Sequence, residues 1–381
     1  MAVGFLAELH AQASPAEGGW PAIAARLPAD LDLDALAREN AAIQRRRGDG
    51  ISDGETLRRL CLARGPGGKS LQETASWAHQ IGLAELTGQS LNERLHRSVA
   101  LLSAVTHRLL AARTGPAVLW SGRCLHLIDG STVSRPGSKG TDWRIHAVDA
   151  LGRGGFRHLG VSDGHGAESL LRCAPAVGEV VIADRGYARA RELRACLDRF
   201  GPQARDFIVR VGWSALVLRD AQGEPFNLIE TLAKRPAQTR AHEWAVQVAV
   251  GSAPPAAPLA LRLIALPLPA DKAAANRLKL KRKASRDQQR LDPRSLTAAG
   301  FMVLVTALPD AIPAGQICAV YRLRWQIELA FKRLKSLIHI DRLPTRTEPG
   351  SLSWLHAHLS AALLTDDMNQ EILESFPSGP R

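Results

Sequence analysis

Apolar residues recur at spacings of three and four over residues 31–47 (LDLDALARENAAIQRRR) and 90–113 (SLNERLHRSVALLSAVTHRLLAAR), which predicts amphipathic helices. Between them, KSLQETASWAHQIGLAELTGQSLNERL (69–95) reads as helix, glycine-containing turn, helix. That pattern suits a helix-turn-helix DNA reader, and equally a packed helix pair. From about residue 120 short apolar runs replace the helical period. RCLHLIDGST ends an apolar run in Asp-Gly, and TDWRIHAVDAL and FRHLGVSD follow as strands across a Gly-rich turn. AESLLRCA is short and helical, VGEVVIADRGY is a second apolar run ending in Asp, ARARELRACLDRF predicts a helix, and DFIVRVGW a strand. A meander followed by strands alternating with helices predicts the α/β class, a mixed sheet with flanking helices.

WAVQVAVGS and LALRLIALPL are again strand-like, with the Pro-rich APPAAP between them and the basic NRLKLKRKASR after them. FMVLVTALP then resumes the core, PAGQICAVYRLRWQIELAFKRLKSLI predicts one long helix, and SLSWLHAHLSAALLTDDMNQEIL another. The expected organisation is a helical N-terminal DNA-binding region (1–115), an α/β core (116–213 and 301–345), a β-rich basic insertion (214–300) and a C-terminal helical segment (346–381).

Charge narrows the partner. Forty-nine Lys and Arg against 37 Asp and Glu give a net charge of +12, which favours a polyanion: DNA, RNA or an anionic membrane surface. Residues 201–300 hold twice as many cations as anions, with the peak at 276–286. Lys279, Lys281, Arg282 and Lys283 in that run either contact nucleic-acid phosphates or form a solvated, mobile loop. No apolar run is long enough to span a bilayer, and MAVGFLAELHAQ lacks the basic start of a secretory signal. Cys61, Cys124, Cys173, Cys196 and Cys318 are scattered without zinc spacing, so a reducing cytoplasm is expected. His356 and His358 read as surface or packing residues, since two histidines alone make a poor metal site.

Asp129 and Asp184 each end an apolar run and precede turn residues, so each alone reads as a turn carboxylate. On two parallel neighbouring strands they would share one carboxyl edge, where ligands gather in α/β sheets. Two such carboxylates repel unless a cation lies between them, and magnesium suits hard oxygen donors. Around a helix wheel, Tyr321, Arg324, Glu328 and Lys335 fall within an arc of about 60°. Glu328 on that stripe can lean toward the sheet edge as a third ligand, with Arg324, Lys335 and Tyr321 able to hold phosphates. The plainer reading is an Arg324–Glu328 salt pair on an amphipathic helix.

Tyr321, Arg324, Glu328 and Lys335, spaced Tyr-x2-Arg-x3-Glu-x6-Lys, resemble the "YREK" signature of the DDE transposases of the insertion-sequence-four family. LIDGST at Asp129 and ADRGY at Asp184 resemble that family's two aspartate motifs, and the resemblance covers about residues 70–340. It implies a ribonuclease-H-like core with a β-rich insertion before the glutamate helix. It further implies that Asp129, Asp184 and Glu328 hold two Mg²⁺ ions, with Mn²⁺ able to substitute, while Tyr321, Arg324 and Lys335 bind DNA phosphates. Such enzymes cut an insertion sequence at its terminal inverted repeats and join it to target DNA. A cut-and-paste route, a dimer on double-stranded DNA and a cytoplasmic, nucleoid-associated location follow from the same resemblance. In members that cleave through a hairpin, an insertion aromatic can hold a flipped base. Trp244 and Trp213 are candidates, Trp325 lies beside the signature, and core packing is the alternative for each. The rival readings are a non-catalytic DNA-binding derivative, a ribonuclease-H-like nuclease or resolvase, and a helix-turn-helix regulator.

Overall fold

The alternation of apolar runs and amphipathic stretches is realised as strands and helices in the computed structural model, which describes residues 27–28, 30–43, 51, 53–113, 119–151, 155–172, 178–198, 205–235, 240–251 and 257–375. In chain order these elements are α1 (Leu33–Glu39), α2 (Gly54–Arg64), α3 (Leu71–Gln80), α4 (Gly88–Arg97), α5 (Val99–Ala112), β1 (Leu119–Trp120), β2 (Arg123–Val133), β3 (Trp143–Ala150), β4 (Gly155–Asp163), β5 (Glu179–Ala183), α6 (Ala190–Asp198), β6 (Arg205–Arg210), β7 (Leu218–Arg219), α7 (Leu228–Ala233), β8 (His242–Val248), β9 (Leu259–Pro267), α8 (Ala270–Arg286), α9 (Pro293–Ala298), β10 (Phe301–Thr306), α10 (Ala314–Tyr321), α11 (Trp325–Leu337) and α12 (Glu348–Ser375). Residues 44–47, read as the end of the first amphipathic stretch, and Cys173 lie outside the described residues. The chain forms two compact units, with boundaries inside β2 after Asp129 and inside α11 after Glu328.

One unit comprises residues 1–116, 130–167 and 329–381. Its helices start where the sequence supplies caps. Asp53 accepts from Thr56 N ahead of α2, Thr87 from Ser90 N ahead of α4, and Ser70 and Glu73 form a reciprocal capping box at α3. The α3–α4 turn uses Gly82 at φ 65°, a conformation that costs glycine nothing. The long α12 packs against α5, α4, α2 and β4. Its seam with the N-terminal helices is lined with small hydroxyls: Ser98 and Ser353 lie 3.3 Å apart, Thr106 and Ser360 3.0 Å apart, all four buried. At its far end Arg113 donates to Asp366 at 2.9 Å. His358 is buried in α12 against Trp354, so packing is its role. In the same unit β3 and β4 form an antiparallel hairpin, with a bulge between Val148 and Asp149.

The other unit comprises residues 117–129 and 168–328. A two-residue turn at Ser121 and Gly122, both at positive φ, joins β1 to β2. From β2 the strands follow the order β2-β5-β6-β10-β9-β8-β7. The β2–β5 and β5–β6 pairs are parallel, and the rest of this path is antiparallel. The central strands read as unbroken apolar runs because both of their faces are covered. Val180–Ala183, Phe207–Val209 and Met302–Val305 are all buried. The outer β8 alternates instead, with Val246 and Val248 buried while Glu243 and Ala245 face solvent. Helix α6 packs on β6, and α9 on β10. The protein is thus a mixed α/β fold whose multi-stranded sheet is flanked by helices, consistent with a ribonuclease-H-like core. Among the described residues no helix is long and apolar enough to cross a membrane.

Four local expectations change. Among the described residues AESLLRCA supplies a single 3-10 turn, Leu170–Arg172. The basic run 276–286 is not a loop: it forms the end of α8, where the Ala-rich ADKAAAN start favours helix over its own charge repulsion. Strand β2 does not end at Asp129 but continues to Val133, because Ser131–Val133 keep the strand alternation, Ser131 and Val133 in and Thr132 out. The expected single long helix is two, α10 and α11, separated by a 3-10 turn at Arg322–Arg324.

The start of α10 is fixed by a buried cation. Arg262 on β9 is 8% exposed; it pairs with Glu243 and donates to the carbonyls of Leu308 (3.1 Å), Pro309 (2.6 Å) and Ile312 (2.9 Å). The turn between β10 and α10 is therefore stapled to the sheet, and Pro313 opens the helix at φ −62°.

Candidate active site

The parallel register of β2 and β5 aligns Leu127 with Ile182. Carried on by two residues, it sets Asp129 level with Asp184, both side chains on the same face. Asp129 is largely shielded and Asp184 half exposed. The two aspartates thus meet as parallel neighbours, although only Asp184 stands at a strand end.

The 3-10 turn between α10 and α11 shapes the other wall. Its three residues per turn bring side chains three apart toward one line, which sets Arg324 nearer the Tyr321 side than a continuous α-helix would. Tyr321 is buried, and its hydroxyl donates to Asp184 Oδ1 at 3.2 Å. Burial and the Asp184 charge, only partly opposed by Arg324 and Arg210, push its phenol above the ordinary value, so it remains a donor. Arg324 places Nη1 3.5 Å from Asp129 Oδ2 and gives Nη2 to Glu328 Oε1. Burial works against its charge, but Tyr321, the Glu328 hydrogen bond and the Asp184 and Glu328 charges outweigh it, and the guanidinium is held above its usual value. Glu328 itself is more than half exposed.

One participant escaped the sequence reading. The β5–β6 register aligns Ala183 with Val209, so the next pair is Asp184 and Arg210. Arg210 Nη1 lies 3.7 Å from Asp184 Oδ1, while its Nε is buried with no hydrogen-bond partner among the described residues. The signal was there: DFIVR is an apolar run ending in a charge, as the two Asp runs are.

Asp129, Asp184, Glu328, Tyr321 and Arg324 are therefore brought together. Lys335 is half-buried two turns beyond Glu328 along α11. Lys279, Lys281, Arg282 and Lys283 are exposed on α8. Trp244 packs with Phe226 and His242, its ring 5.9 Å from the Arg235 guanidinium, rather than with the carboxylates. Trp213 donates to Ser295 Oγ at 3.1 Å under Arg294, whereas Trp325, beside Arg324, is 52% exposed.

Among the described residues no three Asp, Glu, His or Cys side chains converge as a ready-made metal cage. The donor set nonetheless fits magnesium: it consists of hard carboxylate oxygens, and Asp129 and Glu328 already approach one shared cation, the Arg324 guanidinium.

Residues 120–364 match the transposase DDE domain family. The chain is 36% identical over 94% of its length to the putative transposase InsL of insertion sequence element IS186A from Escherichia coli K12, covering 95% of that protein. The transposase of insertion sequence element IS421 from Escherichia coli is equally similar, at 36% identity over 94% of this chain and 95% of its own. The transposase of element IS231F from Bacillus thuringiensis subsp. israelensis is 25% identical over 87% of this chain and 76% of its own.

Proposed function

The chain belongs to the DDE transposase family, enzymes of DNA strand cleavage and transfer, and from that premise we propose that Asp129, Asp184 and Glu328 are its catalytic carboxylates. The supporting observation is that one guanidinium, Arg324, spans Asp129 and Glu328 while Tyr321, three residues earlier, reaches Asp184. An amphipathic surface helix with a solitary salt pair would not reach both strands. On this reading the enzyme is a YREK-type member of the insertion-sequence-four group. It cuts an insertion sequence at its inverted-repeat ends and joins it to target DNA by metal-dependent phosphoryl transfer, in a cut-and-paste route and as a dimer on DNA.

Asp129, Asp184 and Glu328 would hold two Mg²⁺ ions. Those ions supply an activated water or 3′-hydroxyl and stabilise the leaving oxygen. The rest falls to the chain. Asp129 and Asp184, level on neighbouring strands, face a single scissile phosphate. Arg324 and Lys335 donate charge-assisted hydrogen bonds to phosphate oxygens, and Tyr321, still protonated, adds a neutral one. The α3–α4 pair reads the element end. Lys279, Lys281, Arg282 and Lys283 on α8 contact the duplex backbone, and Trp325 or an insertion aromatic such as Trp244 receives an unstacked base.

The test is to incubate the protein with its flanking inverted repeats and Mg²⁺ and map the strand ends. Cleavage at the repeat ends, lost in Asp129→Asn, Asp184→Asn and Glu328→Gln, is expected. Binding without cleavage would instead mark a repurposed DNA-binding derivative, and cuts independent of the repeats a nuclease.

A further inference from the structure

Each carboxylate of the candidate site has a protein donor beside it. Asp184 receives the Tyr321 hydroxyl at 3.2 Å and faces Arg210 at 3.7 Å. Asp129 and Glu328 share Arg324, which is only 13% exposed. A guanidinium keeps its proton at any ordinary pH, so it cannot leave the two carboxylates by titration. A competing cation on the carboxylates can displace it. A divalent ion taken up by Asp129 and Glu328 would lie within a few ångströms of Arg324, close enough for the like charges to repel. Displaced from the carboxylates, Arg324 carries a planar fork of donors suited to the two oxygens of a phosphate.

Building on the proposed catalytic carboxylates, we infer that Arg324 is a resident counter-ion shared by Asp129 and Glu328: it offsets part of their charge before metal arrives and is handed to a DNA phosphate when a divalent ion takes its place. Metal uptake and DNA binding are then coupled through a single side chain. Metal frees the phosphate grip, and by reciprocity DNA favours metal uptake by the same factor. Arg324 competes with metal and serves DNA, so its removal moves the two affinities in opposite directions. A residue that merely braces the helix would weaken both.

Mn²⁺ binding to the full-length protein without DNA, followed by electron paramagnetic resonance and calorimetry, decides it. Arg324→Gln is expected to bind Mn²⁺ roughly fivefold or more tightly than the unaltered protein, within the usual range of coupling between sites. Arg322→Gln, which removes an exposed neighbouring charge, should change it less than about twofold. In the unaltered protein Ca²⁺ should tighten binding to inverted-repeat DNA by a similar factor, and in Arg324→Gln that enhancement should vanish. Equal or weaker Mn²⁺ binding by Arg324→Gln, or a gain matched by Arg322→Gln, overturns the inference. Should Arg324→Gln fail to fold, the Arg324 guanidinium nitrogen resonances of the unaltered protein give the answer. They must move on adding Mg²⁺ without DNA, and unmoved resonances refute the exchange. The underlying site is checked separately: if Glu328→Gln leaves Mn²⁺ uptake intact, the catalytic assignment fails, whereas uptake lost in Glu328→Gln but unchanged in Arg324→Gln sinks the counter-ion role alone.

Discussion

Arg210 stands level with Asp184 on the next parallel strand, its guanidinium 3.7 Å from the carboxylate that also receives the Tyr321 hydroxyl. Asp184 is thus held from two directions, by a charged group of the sheet and a neutral group of the helix. Tyr321→Phe keeps the ring's packing and removes only the neutral partner. We expect it to cost about 0.5–1.5 kcal/mol in stability and to lower cleavage without abolishing it. Urea midpoints and strand-cleavage rates measured together check this; an unchanged rate would mean that Arg210 alone orients Asp184.

Glu328→Gln separates chemistry from binding. The substitution keeps size and helix propensity but removes a ligand charge. Cleavage should fall by several orders of magnitude while binding to the inverted repeat persists. Arg324→Ala and Lys335→Ala should instead weaken the DNA complex by roughly 1–3 kcal/mol along with the chemistry. Gel shift and strand cleavage on the three variants give the comparison, and normal cleavage by Glu328→Gln would refute the catalytic assignment.

Helix α8 makes a prediction about salt. Lys279, Arg282, Lys283 and Arg286 recur at helical spacing and form one exposed row, with Lys281 on another side. Changing Lys279, Arg282 and Lys283 to Ala should shallow the slope of log affinity against log salt by up to about 0.9 for each phosphate that is no longer neutralised. Lys281→Ala alone should leave it nearly unchanged. Equal slopes in all variants would make α8 a bystander.

Buried histidines predict acid sensitivity. Burial, with a smaller contribution from His107, pushes His356 down to about 4; burial also pushes His358 down to about 4, against its hydrogen bonds to the Trp354 and Ile338 carbonyls. Both are neutral when folded, and unfolding lets them take up protons below the ordinary histidine value of about 6.5. Stability should therefore be full above pH 6.5 and fall as pH drops toward 4, by roughly 2 kcal/mol per histidine at pH 5. Urea titrations at pH 7 and 5 test this. Substituting His358 by Gln should reduce the pH dependence even if it lowers stability overall, and an unchanged dependence would exclude His358 as its source.

Arg262→Met tests the link between sheet and site. It leaves Glu243 unpaired and frees the carbonyls of Leu308, Pro309 and Ile312, so a loss of about 3–5 kcal/mol is expected. Surviving folded protein should also cleave poorly, because the turn that aims α10 is no longer stapled. Full activity at reduced stability would show that α10 is positioned by its own packing.

The central strands were legible because burial on both faces leaves only apolar residues for the chain to use, as in the short, largely β-branched runs VVIA and FIV. The two aspartates were legible as strand-borne neighbours. What they touch was not, because parallel pairing leaves no local mark in the sequence. The 3-10 turn at Arg322–Arg324 was hidden because no proline or glycine interrupts YRLRWQIE, and helical periodicity alone cannot register a tightening of one turn. Arg210 was missed for a different reason. A cation ending a strand has no turn preference to draw the eye, and its significance comes wholly from the residue beside it on β5. The basic run misled because charge density outweighed the alanines that start its helix.

The hydroxyl-lined seam between α5 and α12 also sets an order of assembly. Its two halves, Ser98 with Ser353 and Thr106 with Ser360, come from stretches some 250 residues apart, whereas residues up to 328 supply everything in the unit that carries Asp129 and Asp184. A chain emerging from the ribosome can thus close its carboxylate-bearing sheet while the helical unit still waits for its last helix. Until α12 is made, α5 lacks one of the helices it packs against, and apolar surface left open in this way must be sheltered or kept from aggregating. Synthesis, rather than any ligand, is then the first event that decides when the N-terminal helices acquire their fixed arrangement.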